Sequence, residues 1–221
     1  MQRTVFITGG SRGIGLAISK RYHTEGYTVL APPRNEFDLG SISSIFNYLE
    51  QRKPSAGVLI NNAAQNKISS IQNLAYQDWE QMLQINLTAP FLLMQYFLPI
   101  MAKAGWGRVV NIGSAYSIIS KPGRVAYSAS KSGLNGLTRT AALEYAQQNI
   151  LINSLCPGFV ETDLTRQNND PEQLEALRQQ IPMKRLASPD EIADFVYFLG
   201  SERNTYITGQ AIAIDGGFLA Q

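Results

Sequence analysis

Short β-branched apolar runs alternate with amphipathic helical segments along the whole chain, which leaves few folds open to it. A parallel strand that returns to the same sheet needs a helical crossover, so repeated units of this kind build a doubly wound parallel sheet with helices on both faces. We therefore predict one α/β domain covering residues 1–221. The predicted strands are 5–8, 28–31, 58–61, 109–112, 150–155 and 211–214, and the predicted helices are 15–25, 41–51, 76–102, 126–147 and 189–199.

Composition argues against two classes of partner. The chain has 19 basic and 17 acidic residues and a net charge of +2, with no Lys/Arg block that would follow a phosphate backbone or an anionic membrane. The apolar stretch 89–100 is shorter than the roughly 18 residues that a membrane span needs, and it contains two prolines and Gln95. We expect neither nucleic acid nor a membrane as a partner.

The single cysteine bears on the compartment. Cys156 excludes an intramolecular disulfide, and a lone thiol fits a reducing cytoplasm. Since Val5 to Ile7 follow the start of the sequence without a charged region and a long apolar stretch, we expect no export and a cytoplasmic location. We interpret Cys156 itself as a small core residue and not as a nucleophile.

A glycine-rich turn, Thr8-Gly9-Gly10-Ser11-Arg12-Gly13-Ile14-Gly15, lies between the first predicted strand and the first predicted helix. Residues without a Cβ let the backbone turn tightly and let a pyrophosphate approach the helix N-terminus. The spacing Gly-x3-Gly-x-Gly differs from the Gly-x-Gly-x-x-Gly of the commoner Rossmann fingerprint. On the glycines alone, an ordinary tight turn and a dinucleotide site are equally good interpretations.

Tyr127 and Lys131 are four residues apart at the start of a predicted helix, which places the phenol and the ammonium on one face. A nearby cation favours the phenolate of a tyrosine, whose free pKa of about 10 is too high for proton exchange near neutrality. Taken alone, Tyr-x3-Lys is common by chance, and a solvated helix face is the better explanation of it.

Other polar residues lie where strands end. Ser114 follows strand 109–112 at the edge where ligands bind in such sheets, and Asn61 ends another strand at that edge. Asn86 lies among apolar residues of a long helical segment, where its amide needs hydrogen-bond partners. We predict that these residues meet Tyr127 and Lys131 at one site.

In this order the motifs resemble those of the short-chain dehydrogenase/reductase family, and the likeness runs from Thr4 to Phe218. It includes the Thr-Gly-x3-Gly-x-Gly turn, Asn61-Asn62-Ala63, Asn86, Ser114, Tyr-x3-Lys and Pro157-Gly158. The resemblance implies a single-domain Rossmann fold and a nicotinamide-dependent oxidoreductase that acts on a ketone or a secondary alcohol. The C-terminal part, residues 182–218, resembles 3-oxoacyl-thioester reductases of the family.

The resemblance also implies roles for individual residues. Tyr127 would be the general acid/base, Ser114 would polarise the carbonyl, Lys131 would contact the nicotinamide ribose and lower the pKa of Tyr127, and Asn86 would hold a water that relays protons. No metal is implied. The residues implied to bind the cofactor are Gly9, Ser11, Arg12, Gly13, Ile14, Gly15, Arg34, Asp38, Leu39, Asn61, Ala63, Tyr127, Lys131, Pro157, Gly158, Val160 and Thr162. The likeness further implies a homodimer or homotetramer formed through the helices that contain Asn86 and Tyr127.

The residues after the second strand favour NADP(H) over NAD(H). An NAD site places a carboxylate there, whereas an Arg accommodates a 2′-phosphate, and here Arg34 follows Ala31-Pro32-Pro33. Arg12 in the glycine turn adds a second cation. The alternative is that both arginines are merely exposed and either cofactor is accepted.

Two segments depart from the family pattern. Few residues separate Arg34 from Asp38-Leu39, so we predict a shortened crossover in place of a complete helix and strand. The polar segment 161–188 is predicted to be a loop over the carboxyl edge that shapes the pocket for a small-molecule substrate. The alternatives to a reductase are a non-catalytic nucleotide-sensing or scaffold protein on this fold, and an epimerase or dehydratase of the extended branch.

Overall fold

A six-stranded parallel sheet forms the centre of the molecule in the computed structural model, which describes residues 3–167 and 170–221. The strand order is β2-β1-β3-β4-β5-β6, and every adjacent pair is parallel. This confirms the predicted sheet. The strands are β1 (Thr4–Ile7), β2 (Thr28–Leu30), β3 (Val58–Asn61), β4 (Gly107–Ile112), β5 (Ile150–Pro157) and β6 (Ala211–Ile214).

Helices cover both faces of the sheet. They are α1 (Gly13–Thr24), α2 (Ile42–Arg52), α3 (Tyr76–Leu83), α4 (Ala89–Ala104), α5 (Val125–Tyr145), α6 (Asp163–Gln167), α7 (Pro171–Gln180) and α8 (Pro189–Leu199). One buried cluster joins α1 and α8 to the sheet around Ile18 and Val196, and a second joins α2, α4 and α5 around Leu49 and Phe97. Alternate side chains of a strand point to opposite faces, so Val5 and Ile7 enter the first cluster while Phe6 enters the second.

The reversal of strand order at β1 locates the binding cleft. From β1 the chain first adds β2 on one side and then β3 on the other. Crossovers that start in opposite directions leave a crevice at the carboxyl ends of these strands, and ligands bind there in doubly wound sheets. The turn after β1 therefore borders a natural binding cleft.

The segment after β2 is short. Residues 31–41 run from β2 to α2 without a helix or a strand, as the sequence predicts. β2 consequently forms one edge of the sheet, and it has only three residues.

The predicted loop at residues 161–188 is wrong in its secondary structure, because α6 and α7 lie within it. The side chain of Asp170 accepts from the backbone N–H of Gln173, whose side chain accepts from the backbone N–H of Asp170, and Pro171 occupies the first turn. This capping box is a start signal for a helix, and it outweighs the low hydrophobicity of the segment. Residues 168–169 lie outside the described part of the chain.

A long helical run joins α3 and α4 through a π-helical turn at Gln84–Thr88. Pro90 has no N–H to donate to the carbonyl of Asn86 four residues earlier, so the regular α pattern cannot continue there. Within the described residues, the run Tyr76–Ala104 is the one helix long and apolar enough to cross a membrane, whereas the sequence analysis found no such run. Half of its most apolar window is buried inside the protein, as in a core helix.

Candidate functional site

A cavity of about 900 Å³ opens at the carboxyl edge of the sheet. Its walls include the turns that follow β1, β2, β3, β4 and β5. Most of the predicted site residues line it, namely Gly9, Ser11, Arg12, Gly13, Ile14, Gly15, Arg34, Asp38, Leu39, Ala63, Ser114, Tyr127, Lys131, Pro157, Gly158, Val160 and Thr162. Asn61 and Asn86 are not part of its walls and are buried behind it.

The glycine turn is held to the neighbouring strand by hydrogen bonds. The hydroxyl of Thr8 accepts from the backbone N–H groups of Asn62 and Ala63, both at 3.0 Å. The Asn62 amide donates to the carbonyls of Thr8 and Gly9 at 3.0 and 3.1 Å. A Cβ on Gly15 would lie 2.0 Å from the carbonyl oxygen of Gly9, so only glycine fits where α1 passes the turn.

The N-terminus of α1 offers free donors to the cavity. Arg12 precedes the helix and its side chain makes no capping hydrogen bond, and the first turn has no acidic residue. The first backbone N–H groups of a helix have no partner within the helix and attract anions. Gly13, Ile14 and Gly15 line the cavity, so this turn fits a pyrophosphate.

Ser114 and Tyr127 meet at the opposite end of the cavity. Ser114 follows β4 and caps a short 3₁₀ turn, where its hydroxyl accepts from the backbone N–H of Tyr116 at 3.1 Å. It also lies close enough to the phenol of Tyr127, in the first turn of α5, to lower the pKa of that phenol. Two hydroxyls side by side on a cavity wall can bind one carbonyl oxygen and supply it with a proton.

Lys131 lies one turn after Tyr127 on α5, as the four-residue spacing predicts. Its Nζ is 5.8 Å from the centre of the Tyr127 ring and donates to the carbonyl of Ile112 at 2.6 Å. Only 2% of Lys131 is exposed, and burial lowers the pKa of its ammonium to about 8. The side chain can therefore exchange a proton close to neutral pH.

The pKa of Tyr127 differs from the expected one. Burial raises it, while the hydrogen bond from Ser114 and the positive charge of Arg124 oppose that rise. The net direction is upward, so burial outweighs both of these effects. The lowering of the Tyr127 pKa by Lys131 stays a prediction.

Asn86 is fully buried in the π-helical turn and supports the site from behind. Its amide oxygen accepts from the backbone N–H of Gln65 at 2.8 Å, and its amide nitrogen donates to the Gln65 carbonyl at 2.9 Å. The same nitrogen donates to Ser130 at 3.0 Å, and Ser130 donates to the carbonyl of Tyr127 at 2.8 Å. Asn86 thus ties the chain after β3 to the catalytic end of α5.

Asn61 also links neighbouring elements by hydrogen bonds. Its amide nitrogen donates to Asn111 on β4 at 2.8 Å, and Asn111 donates to Thr138 on α5 at 2.9 Å. This buried chain fixes the relative position of β3, β4 and α5. The pattern of the sequence placed Asn61 at the correct edge but could not show that its side chain turns away from the cavity.

The other end of the cavity carries exposed charges. Arg34 is 3.4 Å from Asp38, and their side chains are 76% and 39% exposed. Arg12 is exposed as well. Both arginines line the cavity, as predicted, but Arg34 shares its charge with Asp38.

Sequence reasoning missed Lys121, Arg124 and Tyr116, which line the cavity beside Ser114 and Tyr127. The amide of Asn66 accepts from Arg124 at 2.7 Å. Arg124 stands three residues before Tyr127 on the chain, and that proximity was the one available signal. Among the described residues, no group of three or more His, Cys, Asp and Glu side chains is arranged to hold a metal ion.

Comparison with protein-family profiles gives two matches that together span nearly the whole chain. Residues 3–53 match the short chain dehydrogenase family. Residues 37–219 match a family described as enoyl-(acyl carrier protein) reductase. The two matches overlap at residues 37–53, which cover the end of the shortened segment and α2.

Individual relatives agree with this assignment over their full length. The chain is 35% identical to the 3-oxoacyl-[acyl-carrier-protein] reductase FabG of Aquifex aeolicus, over 96% of the chain and 95% of that protein. The structure of 4-hydroxyisoleucine dehydrogenase complexed with NADH superposes with a TM-score of 0.93 at 28% identity, covering all of both chains. A putative NAD(P) dependent gluconate 5-dehydrogenase from Beutenbergia cavernae with bound NADP superposes with a TM-score of 0.90 at 30% identity, covering 99% of this chain and 97% of that one.

Proposed function

The chain belongs to the short-chain dehydrogenase/reductase family of NAD(P)-dependent oxidoreductases, and we propose that it interconverts a ketone and a secondary alcohol with Tyr127 as the general acid/base. One observation carries this proposal. The hydroxyls of Ser114 and Tyr127 lie side by side on the wall of a cavity whose far end fits a pyrophosphate. Lys131, with a pKa near 8, stands one helical turn away.

The roles follow from the positions of the groups. The bound nicotinamide supplies or accepts the hydride. Ser114 holds the substrate oxygen by a hydrogen bond, and Tyr127 donates its proton to that oxygen in the reductive direction. The oxygen then stays in contact with donors that stabilise the developing negative charge. Tyr127 recovers its proton through groups that exchange protons near neutrality, of which Lys131 is the nearest with a suitable pKa.

Asn86 supports this relay with its main chain and not with its side chain. The side-chain amide is occupied by Gln65 and Ser130. The carbonyl of Asn86 lacks the usual donor four residues on, because that residue is Pro90. A water bound to this carbonyl would serve the proton relay to Lys131.

NADP(H) is the cofactor we propose. The support is the pair of cavity-lining arginines, Arg12 and Arg34, and the lack of a carboxylate directly after β2. One solved relative carries NADH and another NADP, so relatives of this fold use both. A lower Michaelis constant for NADPH than for NADH supports the proposal, and a clear NADH preference contradicts it.

We further propose a homodimer or homotetramer in the cytoplasm. Apolar side chains on α4 and α5 are exposed, Phe91 at 45% and Leu143 at 83%. An assembly through these helices would cover them, and sedimentation of a monomer would contradict it. The lone, buried and free Cys156 suits a reducing compartment.

The proposed reaction is tested with a panel of ketones and secondary alcohols, each assayed by nicotinamide absorbance with both cofactors. Turnover of at least one carbonyl that disappears in Tyr127→Phe supports the function. Turnover that Tyr127→Phe retains refutes the mechanism.

A further inference from the structure

Two cations lie beside the proposed catalytic hydroxyls, and this inference about the substrate rests on the proposed function. The Nζ of Lys121 is 5.7 Å from the centre of the Tyr116 ring, and the guanidinium carbon of Arg124 is 5.5 Å from it. The backbone N–H of Tyr116 donates to Ser114. Both cations line the same cavity as Ser114 and Tyr127, and Arg124 is close enough to lower the pKa of Tyr127.

Neither cation is neutralised by the protein. Within residues 3–167 and 170–221, no carboxylate oxygen lies within 4.0 Å of the Lys121 ammonium or the Arg124 guanidinium. The acidic residues of the cavity wall are Asp38, which pairs with Arg34, and Asp163. Charge at the catalytic end is thus positive in excess, although a partly buried charge is normally paired.

Arg124 also has hydrogen-bonding capacity to spare. One terminal nitrogen donates to Asn66 at 2.7 Å, whereas the Nε–H is buried and has no acceptor. The side chain is partly buried between Tyr116 and the chain after β3, which limits its motion. A guanidinium is planar and presents several donors in a fixed fork, a geometry that matches the two oxygens of a carboxylate or phosphate.

We propose that the substrate carries an anionic group, a carboxylate or a phosphate, which Arg124 binds while Ser114 and Tyr127 hold the reacting carbonyl. Lys121, which is exposed at the rim, adds attraction for the same group. Binding of an anion relieves the repulsion between two cations that share one aromatic ring. Arg124 is then a determinant of specificity as well as a support for Asn66.

The test compares ketones that differ only in charge. Methyl 3-oxobutanoate is the neutral partner of 3-oxobutanoate, and dihydroxyacetone is the neutral partner of dihydroxyacetone phosphate. In the wild type we expect kcat/KM for at least one anion to exceed that of its neutral partner by about tenfold or more, the range of a charge-assisted hydrogen bond. Arg124→Met should remove most of this ratio through KM, and Arg124→Lys should keep part of it.

The ratio separates recognition from a structural role. Arg124→Met also removes a charge that acts on the pKa of Tyr127, so turnover of both partners can change while only a lost anion contact changes their ratio. Arg139→Met is the matched control, because Arg139 lies on the exposed side of α5, and it should leave the ratio unchanged. Equal losses for charged and neutral substrates, or no anion preference in the wild type, would overturn the proposal.

A binding measurement tests the proposed anion site without relying on catalysis. The wild type is loaded with the oxidised cofactor, which cannot reduce a ketone, and titrated calorimetrically with 3-oxobutanoate or dihydroxyacetone phosphate. Binding of one anion that weakens about tenfold in Arg124→Met supports the site even if no substrate of the panel is turned over. Absence of binding of both anions to the wild type rules it out, whereas turnover of neutral ketones alone would leave the proposed reaction standing and reject the anion site.

Discussion

The two ends of the cavity are built in opposite ways. We call the end with Ser114, Tyr127 and Lys131 the catalytic end and the end with Arg34 and Asp38 the adenine end, after their proposed roles. At the catalytic end, Ser114 and Lys131 are 8% and 2% exposed, and buried amides tie the surrounding strands and α5 together. At the adenine end, Arg34 is 76% exposed, and the chain from β2 to α2 contains no regular element. The proposed catalytic residues therefore lie in the protein core, whereas the arginines proposed to discriminate between the cofactors are solvated.

The difference between the two ends indicates where substitutions should have large or small effects. A buried hydroxyl or ammonium is held by packing and by partners that lose their own bonds if it is removed. An exposed guanidinium is screened by water and contributes little to stability. Substitutions at the catalytic end should therefore act strongly on turnover or folding, while those at the adenine end should act weakly and mainly on cofactor choice.

Tyr127→Phe should show the largest effect. Removal of the phenol proton donor should lower kcat by about a thousandfold, within the range that general acid catalysis contributes. The dissociation constant of NADPH, measured by fluorescence titration, should change by less than about threefold, since the phenol is at the opposite end from the pyrophosphate turn. A large loss of cofactor binding would show that the two ends are coupled.

Gly15→Ala should disrupt the glycine turn between β1 and α1. Its Cβ would meet the Gly9 carbonyl at 2.0 Å and the Asn62 amide at 2.5 Å. We expect the free energy of unfolding to fall by about 3 kcal/mol, the upper end for overpacking, and NADPH binding to weaken with it. Gly136→Ala is the control, because its Cβ meets nothing closer than 4.0 Å inside α5, and it should stabilise the protein by up to about 1 kcal/mol.

Lys131→Met should make the protein more stable while removing activity. Burial lowers the folded-state pKa of Lys131 from 10.5 to about 8, a cost of about 3 kcal/mol below pH 8. Loss of its hydrogen bond to Ile112 costs about 1 kcal/mol, so the net gain at pH 7 is about 2 kcal/mol.

The pH dependence of this gain provides the check. Between pH 8 and 10.5 the unfolded chain holds the Lys131 proton more tightly than the folded one, so wild-type stability rises with pH relative to Lys131→Met. The gap between the two proteins should be full below pH 8 and should close toward pH 10.5, as measured by urea unfolding. A gap independent of pH would mean that the buried ammonium is not its cause.

Arg34→Ala should give the smallest effect. We expect the KM for NADPH to rise by about tenfold or less and that for NADH to change little, because only the former has a 2′-phosphate to lose contact with. Arg52→Ala is a matched control, since Arg52 is also exposed and pairs with Glu36 outside the cavity walls. Equal changes for both cofactors would contradict a phosphate contact at Arg34.

The sequence predicted the sheet and its main helices because β-branched runs and helical periodicity are local signals, and the Gly9–Gly15 turn and Tyr-x3-Lys have fixed spacing. The parts that it missed depend on tertiary packing. The inward turn of Asn61 toward Asn111 and Thr138 joins residues 50 and 27 positions apart. The direction of the Tyr127 pKa shift depends on burial, which no motif encodes.

The helix α7 was missed for a different reason. Its capping box, from Asp170 to Gln173, is visible in the sequence and indicates a helix, but the polar composition of residues 161–188 favours a loop. Arg124 lies outside the Tyr-x3-Lys motif, so the motif does not indicate it. Its partner Asn66 is 58 positions away, so the contact required the fold.

The short β2 strand also limits edge-to-edge aggregation of the sheet. An edge strand exposes unpaired backbone groups that another chain can extend into an aggregated sheet. Here that template is three residues long, and Pro32 and Pro33 follow almost at once with no N–H to offer. The short β2 strand therefore offers few backbone groups with which a second molecule could pair, and this edge of the sheet resists growth into fibrils.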